Sequence, residues 1–337
     1  MFRKTDSSQG TVERLDVREL HFAEVLPEGR YLDLPGRGSA FVRIAEGPEG
    51  APAVLLVHGL LATADLNWSL VMPQLAERFT VVAPDLRGHG RGLATSGFSG
   101  EECADDLAAI VEALGLGRVI VVGYSLGGLV AQLFAKLYPE LTAGLVLCAT
   151  ACSFEVPTER GVLQLVEQAA RRVPAALRRA LMMAILAPKS ADCPNGRWLM
   201  SEVRRHDTMA ILDATAEAAR FDSVPWLAKL DVPAVVIVTA LDPVVRPGYQ
   251  KVLAAVLGAD VFEVAADHFS CIKRPDLFNP ALVAACTQVG REYSSAADGS
   301  ERSAEPAGRR RAARHAESDV DVPFSAGHAR AAAAAGL

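Results

Sequence analysis

The stretch VIVVGYSLGGLVAQ, residues 119–132, decides how this chain is read. A run of β-branched residues stops at Gly123-Tyr-Ser125-Leu-Gly127-Gly128, and an amphipathic segment follows. The run predicts a buried strand and the segment after it a helix. A bland turn between them needs one glycine at most. Glycines on both sides of a lone serine predict a backbone forced through a corner where side chains do not fit. Such a corner lifts the hydroxyl above the strand end, where the free N–H groups of the helix N-terminus also point. A serine hydroxyl is a weak nucleophile until a base takes its proton, so it must stand where a histidine and a substrate can reach it. Taken alone, the stretch also fits an ordinary glycine-rich strand–helix turn.

The same alternation extends outward. The apolar runs AVLLVH (53–58), FTVVAPD (79–85), RVIVVGYS (118–125), AGLVLCAT (143–150), VPAVVIVTALD (232–242) and DVFEVAA (260–266) read as strands. Helical stretches are expected near 67–77, over 101–115, where acidic residues open the first turn and glycine ends it, and over 125–139. Continuous apolar strands alternating with helices predict an α/β fold, a mostly parallel, doubly wound sheet of about eight strands covered on both faces. RYLDLPGRGSAFVRIAEG (30–47) predicts an antiparallel hairpin at one sheet edge.

On this reading residues 1–29 are a lead segment, and 30–150 with 226–292 form the core. VLQLVEQAARRVPAALRRALMMAILAP (162–188) repeats apolar residues at helical spacing with no strand to follow, so 151–225 is read as a helical cap inserted over the sheet. Within it Val162, Leu163, Leu165, Val166, Leu181, Met182, Met183, Ile185 and Leu186 read as the cap packing on itself, with an acyl pocket as the alternative. Arg160, Arg171, Arg172, Arg178 and Arg179 read as a solvated basic face. Residues 293–337, rich in Ala, Arg, Gly and Ser, are expected to be a disordered tail.

A net charge of −6 gives no reason to expect a nucleic-acid partner. No apolar run approaches the roughly 18–20 residues of a membrane span, and the first twenty residues lack the apolar core of a secretion signal. The six cysteines lie scattered without a Cys-x-x-Cys pair, which fits reduced, mostly buried thiols and a cytoplasmic location. No metal or organic cofactor is expected.

The partners that Ser125 needs stand in order along the chain. HGLLAT (58–63) follows the strand AVLLV, so the N–H of Leu60 is expected beside that of Leu126 as a pair of donors for a developing oxyanion. His58 reads as a loop-packing histidine. Asp242 ends the strand VVIVTALD, and His268 follows VFEVAA; both positions are C-terminal strand ends, where open α/β sheets place their sites. Asp267 is a competing acid, but adjacent residues rarely hydrogen-bond face to face, so Asp242 is preferred. Asp65 and Asn67 stand just past the oxyanion turn, to reach the pocket or to cap a helix.

With these motifs assembled, residues 30–292 resemble the α/β-hydrolase superfamily. The likeness rests on HG after the third strand, PDLRGHG (84–90) after the fourth, GYSLG at the elbow, and LDPVVRP (241–247) with DHFSCIKRPDLF (267–278) at the acid and base. The resemblance implies the triad Ser125, Asp242 and His268, in that family's chain order. It makes the 85–90 loop architectural, leaving His89 no catalytic role. Two departures matter. Asp267 stands where the family usually has glycine. The elbow carries serine rather than aspartate, which argues against dehalogenase and epoxide-hydrolase chemistry through an aspartyl ester. The implied activity is a serine carboxylesterase or lipase-like hydrolase of small to medium apolar esters, with a small-molecule ester as partner. An enol-lactonase, a C–C bond hydrolase or a haloperoxidase-like enzyme would use the same triad; a non-catalytic ligand-binding protein of this fold is the remaining alternative.

Overall fold

The computed structural model describes residues 26–95, 97–153, 169–190 and 196–302. Eight strands form one sheet: β1 (Gly29–Leu34), β2 (Gly38–Ala45), β3 (Ala53–Val57), β4 (Thr80–Pro84), β5 (Val119–Tyr124), β6 (Thr142–Cys148), β7 (Ala234–Thr239) and β8 (Asp260–Val264). Their order is β1-β2-β4-β3-β5-β6-β7-β8. The β1–β2 hairpin is antiparallel and β2 meets β4 antiparallel; every other pairing is parallel. This is the mostly parallel, doubly wound architecture expected from the sequence.

Both faces of the central strands are apolar, and alternate residues feed two cores. Leu55, Val57, Val121, Leu145 and Val236 pack on one side, with α3 (Gly100–Ala113) and α4 (Leu126–Leu137) over them. Val54, Leu56, Ile120, Val122, Val146 and Ile237 face the other side. There they meet α1 (Ala64–Trp68), α2 (Met72–Ala76) and the last helix. The single helix expected near 67–77 is therefore two. Thr63 caps α1 by accepting the Leu66 N–H, and Pro73, which has no N–H to give, sits in the first turn of α2.

Between β6 and β7 the described residues are helical: α5 (Ala175–Ser190), α6 (Gly196–Val203), α7 (Thr208–Arg220) and α8 (Val224–Leu227). The neck of this cap is pinned where Ser153 bridges Asp222 and the Ser223 hydroxyl donates to buried Gln132 of α4 at 2.6 Å. The expected apolar stripe does not wholly pack inward, because Leu181 is 54% exposed, while Met182 and Met183 are half-buried. Val162, Leu163, Leu165 and Val166 lie outside the described residues. Of the arginines read as a solvated face, Arg172 and Arg179 are exposed, Arg171 pairs with Asp213 of α7 at 2.7 Å, Arg178 donates to Thr208 at 3.1 Å, and Arg160 lies outside the described residues. After β7 come α9 (Pro247–Leu257), α10 (Ser270–Lys273) and α11 (Pro275–Arg302). The last of these helices ends at Arg302, and residues 303–337 of the expected tail lie outside the described residues. Among the described residues no helix is long and apolar enough to cross a membrane. Five cysteines are free and buried, and Cys193 lies outside the described residues.

A buried ionic cluster seats the cap on the core. Arg91, in the loop after β4, reaches both carboxylate oxygens of Glu202 in α6, at 2.9 and 2.8 Å, and Asp65 of α1 at 3.0 Å. Arg43 of β2 grips the same Asp65 with a two-pronged contact at 2.8 and 2.9 Å. Removing one partner from a buried pair strands the other charge away from water, which costs far more than an exposed pair is worth. A Glu202→Gln variant, which keeps the shape and drops the charge, is expected to lose about 3 kcal/mol of stability, seen as a lower denaturant midpoint at unchanged slope. A midpoint equal to that of the parent protein would show that this cluster does not secure the cap.

Candidate active site

Ser125 follows the last residue of β5 and adopts φ 52°, ψ −118°, a left-handed conformation that is costly for a residue with a side chain. It is held there from three sides. Its N–H donates to the Cys148 carbonyl at 2.9 Å, and its own carbonyl accepts from the Gly128 N–H and the Thr150 hydroxyl, each at 2.8 Å. The glycines are there for room. A Cβ on Gly127 would overlap the Val57 carbonyl of β3, and one on Gly123 would overlap the Gly127 carbonyl. The Leu126 N–H opens α4 and so has no acceptor within the helix.

The turn after β3 stands against this corner. A Cβ on Gly59 would lie 3.3 Å from the Ser125 Cβ, and the next residue is Leu60. Leu61 takes a positive φ of 58°. Asn67 braces the turn, accepting the Gly59 N–H at 2.9 Å while its Nδ2 donates to the Cys271 sulfur at 3.3 Å. Asn67 therefore acts on the turn rather than in the pocket, Asp65 is consumed by Arg43 and Arg91, and the helix cap is Thr63.

His268 and Asp242 complete the line. His268 Nε2 lies 3.0 Å from the Ser125 hydroxyl, and its Nδ1 lies 2.7 Å from Asp242 Oδ2. A carboxylate can only accept, so Nδ1 carries the proton and Nε2 presents its lone pair to the serine. Asp242 Oδ1 accepts the N–H groups of Val244 and Val245 at 2.8 and 2.9 Å, and Oδ2 also accepts the Thr239 hydroxyl at 2.8 Å. Tyr124, next to the serine, donates its hydroxyl to the His268 carbonyl at 2.8 Å. Asp267 faces away from the imidazole in its bonding: it pairs with Lys273 at 2.8 Å and accepts the Phe269 N–H. Although partial burial opposes it, the Lys273 and Phe269 bonds hold this carboxyl below its ordinary value. The structure thus gathers Ser125, His268 and Asp242, with Leu60 and Leu126 in the two turns flanking the hydroxyl. Thr239, Gln250 and Tyr124 were not singled out from the sequence, since nothing in their spacing ties them to the acid or the base. Among the described residues no group of three or more His, Cys, Asp or Glu side chains is placed to hold a metal ion.

Residues 52–275 match the family model described as the alpha/beta hydrolase fold. An uncharacterized protein of Mycobacterium tuberculosis is 41% identical over 97 residues, covering 28% of each chain, so the match spans little more than a quarter of that relative. The lipase LipV of the same organism is 35% identical over 117 residues, 35% of this chain and 44% of its own. Among solved structures, a thermophilic esterase from Thermogutta terrifontis, determined with malate bound, is 26% identical with a TM-score of 0.60, covering 79% of this chain and 99% of its own.

Beside the site, three buried histidines join core and cap. His58 accepts the Leu86 N–H at Nε2 and bonds the Gly59 carbonyl through Nδ1, which leaves it no free nitrogen for a general base. His89 packs between it and His206, with ring centroids 5.3 Å from each. His206, between α6 and α7, accepts the Gly90 N–H at 3.0 Å. Burial pushes His58 from 6.5 down to about 3, against its bond to Gly59, and His206 down to about 4, against the Leu61 carbonyl; His89 is lowered as well. The unfolded chain takes up these protons near 6.5, so the stability they support is full above that pH and drains away as the pH falls toward 4. Asp85 opposes them: burial raises it from 3.8 to about 6, so its contribution improves as the pH falls through that range. With three histidines against Asp85 and Glu217, a second carboxyl that burial raises, unfolding free energy is expected to drop by a few kcal/mol between about pH 6.5 and 4. His206→Asn keeps an acceptor for Gly90 and removes one titration, so its unfolding free energy should fall less over the same interval. Parallel pH profiles for the two proteins would refute the histidine origin.

Proposed function

Since the chain belongs to the alpha/beta hydrolase fold family, whose model spans more than half of it, we propose that it is a serine hydrolase of the cytoplasm cleaving carboxylic esters of small to medium, apolar acyl groups. One observation carries the reading: hydroxyl, imidazole and carboxylate stand in a single hydrogen-bonded line at 3.0 and 2.7 Å. Ser125 attacks the ester carbonyl while His268 Nε2 takes its proton. Asp242 holds the imidazole in the required tautomer and stabilises the imidazolium that forms. The carbonyl oxygen gains charge in the tetrahedral state and is met by the Leu60 and Leu126 amides, with the positive end of α4 behind it. His268 then passes its proton to the leaving alkoxide, and water, activated by the same imidazole, releases the acyl group and restores Ser125. The esterase and the lipase to which the chain is similar support the choice of ester. The exposed ring of Phe269, which meets His268 edge-on, supports an apolar substrate.

A fluorophosphonate probe is expected to label the protein at Ser125, and Ser125→Ala to abolish both labelling and hydrolysis of p-nitrophenyl esters. Asp242→Asn, which leaves the shape and spoils the tautomer, should cut kcat by about 10⁴-fold. Ester hydrolysis that survives the alanine replacement at full rate would place the nucleophile elsewhere, and a chain-length series of esters and lactones compared by kcat/KM would rank the substrates.

A further inference from the structure

We propose that Thr239 and Gln250 form a positioning pair that locks the Asp242 carboxylate and, through it, the orientation of His268. The kinetic consequence rests on the hydrolase reading above; the geometric one does not. Gln250, in α9, is wholly buried, a poor place for a primary amide unless each of its polar groups is used. Here each is used. Its Oε1 accepts the Thr239 N–H at 3.0 Å, which fixes which end of the amide is oxygen. Its Nε2 therefore donates, to the Val245 carbonyl at 2.6 Å and to the Thr239 hydroxyl at 2.8 Å.

That assignment decides where the hydroxyl proton goes. Having accepted from Gln250, Thr239 Oγ1 has one proton to give, and the near acceptor is Asp242 Oδ2 at 2.8 Å; Gln250 Oε1 is farther, at 3.3 Å, and already engaged. The relay runs one way, from amide to hydroxyl to carboxylate. It ends on the oxygen that accepts His268 Nδ1–H. Gln250 Nε2 also approaches that oxygen, at 3.4 Å. With Oδ1 held by two backbone amides, neither oxygen can swing, so the imidazole has one carboxylate edge to align with. If the pair served the fold alone, an apolar pair of the same shape would serve nearly as well.

The test compares Thr239→Val, which drops the hydroxyl at nearly constant shape, with Thr239→Ser, which restores it. With p-nitrophenyl butyrate, Thr239→Val should lower kcat roughly 10- to 100-fold while KM stays within about twofold, and Thr239→Ser should recover most of the loss. Gln250→Met should show the same split of kcat from KM, and carries the test if the valine variant does not fold. A substrate-free readout runs beside it. The downfield proton resonance of His268 Nδ1–H, assigned by its loss in Asp242→Asn, should persist in Thr239→Ser and shift or broaden in Thr239→Val. A folded valine variant with parental kcat and an unmoved resonance overturns the pair, as does a serine variant as slow as valine. A parent protein that hydrolyses no ester, yet whose resonance responds to Thr239→Val, overturns the hydrolase reading and leaves the pair standing.

Discussion

The first turn of α4 crosses the ends of β3 and β5 so closely that no side chain fits in between, and this crossing governs the rest of the site. A Cβ at Gly127 would strike the Val57 carbonyl, and one at Gly128 would strike Thr150. The chain can make the crossing only by turning Ser125 into positive φ, a strain of order 1–3 kcal/mol. The neighbours that hold it, Cys148 and Thr150, follow from β6, which pairs along β5 to the last residue before the serine. Because β5 is flanked on both sides, by β3 and β6, the corner rests on the least yielding part of the sheet. Among the described residues, the backbone bonds that hold Ser125 all come from the core.

Asp242 and His268 have a harder setting. β7 lies one strand from the edge and β8 is the edge itself, with most of its residues exposed or half-buried. The loops leaving these strands need anchors that the sheet does not supply. Leu241 N–H bonds the Ala266 carbonyl at 3.1 Å, tying one loop to the other. Tyr124 ties His268 to the strand that leads into Ser125, through the His268 carbonyl and through a 2.9 Å contact with the Ser270 hydroxyl. Thr239 and Gln250 do the same for Asp242, the latter from α9. Rigidity, intrinsic at Ser125, is assembled from side-chain bonds at Asp242 and His268.

This division explains how much could be read from the chain itself. Strands β3 to β7 are announced by Val, Ile and Leu in unbroken runs because both their faces are buried, and local composition suffices to find them. The elbow is announced by glycines because the crowding acts on adjacent residues. Asp242 and His268 can be found because their places at strand ends are local facts too. Gln250 and Tyr124 could not be found that way: a glutamine in a helix and a tyrosine in a strand take meaning from partners 8 and 144 residues away. The same holds for Asp65, whose role depends on Arg43 arriving from β2 and Arg91 from the loop after β4. The break between α1 and α2 is marked by Pro73, which opens α2 and has no N–H to continue α1.

The seat of the cap follows a different physics from the core, and the difference bears on the chemistry. Apolar surfaces slide past one another at little cost, whereas Arg91 Nη2 has to meet both carboxylate oxygens of Glu202 and one of Asp65 at once. Buried charge is a poor source of net stability, since desolvation consumes most of what pairing returns. Its merit here is registration. Glu202 also accepts the Thr63 hydroxyl at 3.4 Å, and Thr63 and Asp65 begin the helix that carries Asn67, the residue bracing Gly59. One chain of contacts therefore runs from the cap, through the ionic cluster, to the turn that presents Leu60 beside the nucleophile. A displacement of α6 cannot leave that turn untouched, so the seating of the cap and the position of the turn beside Ser125 are set together.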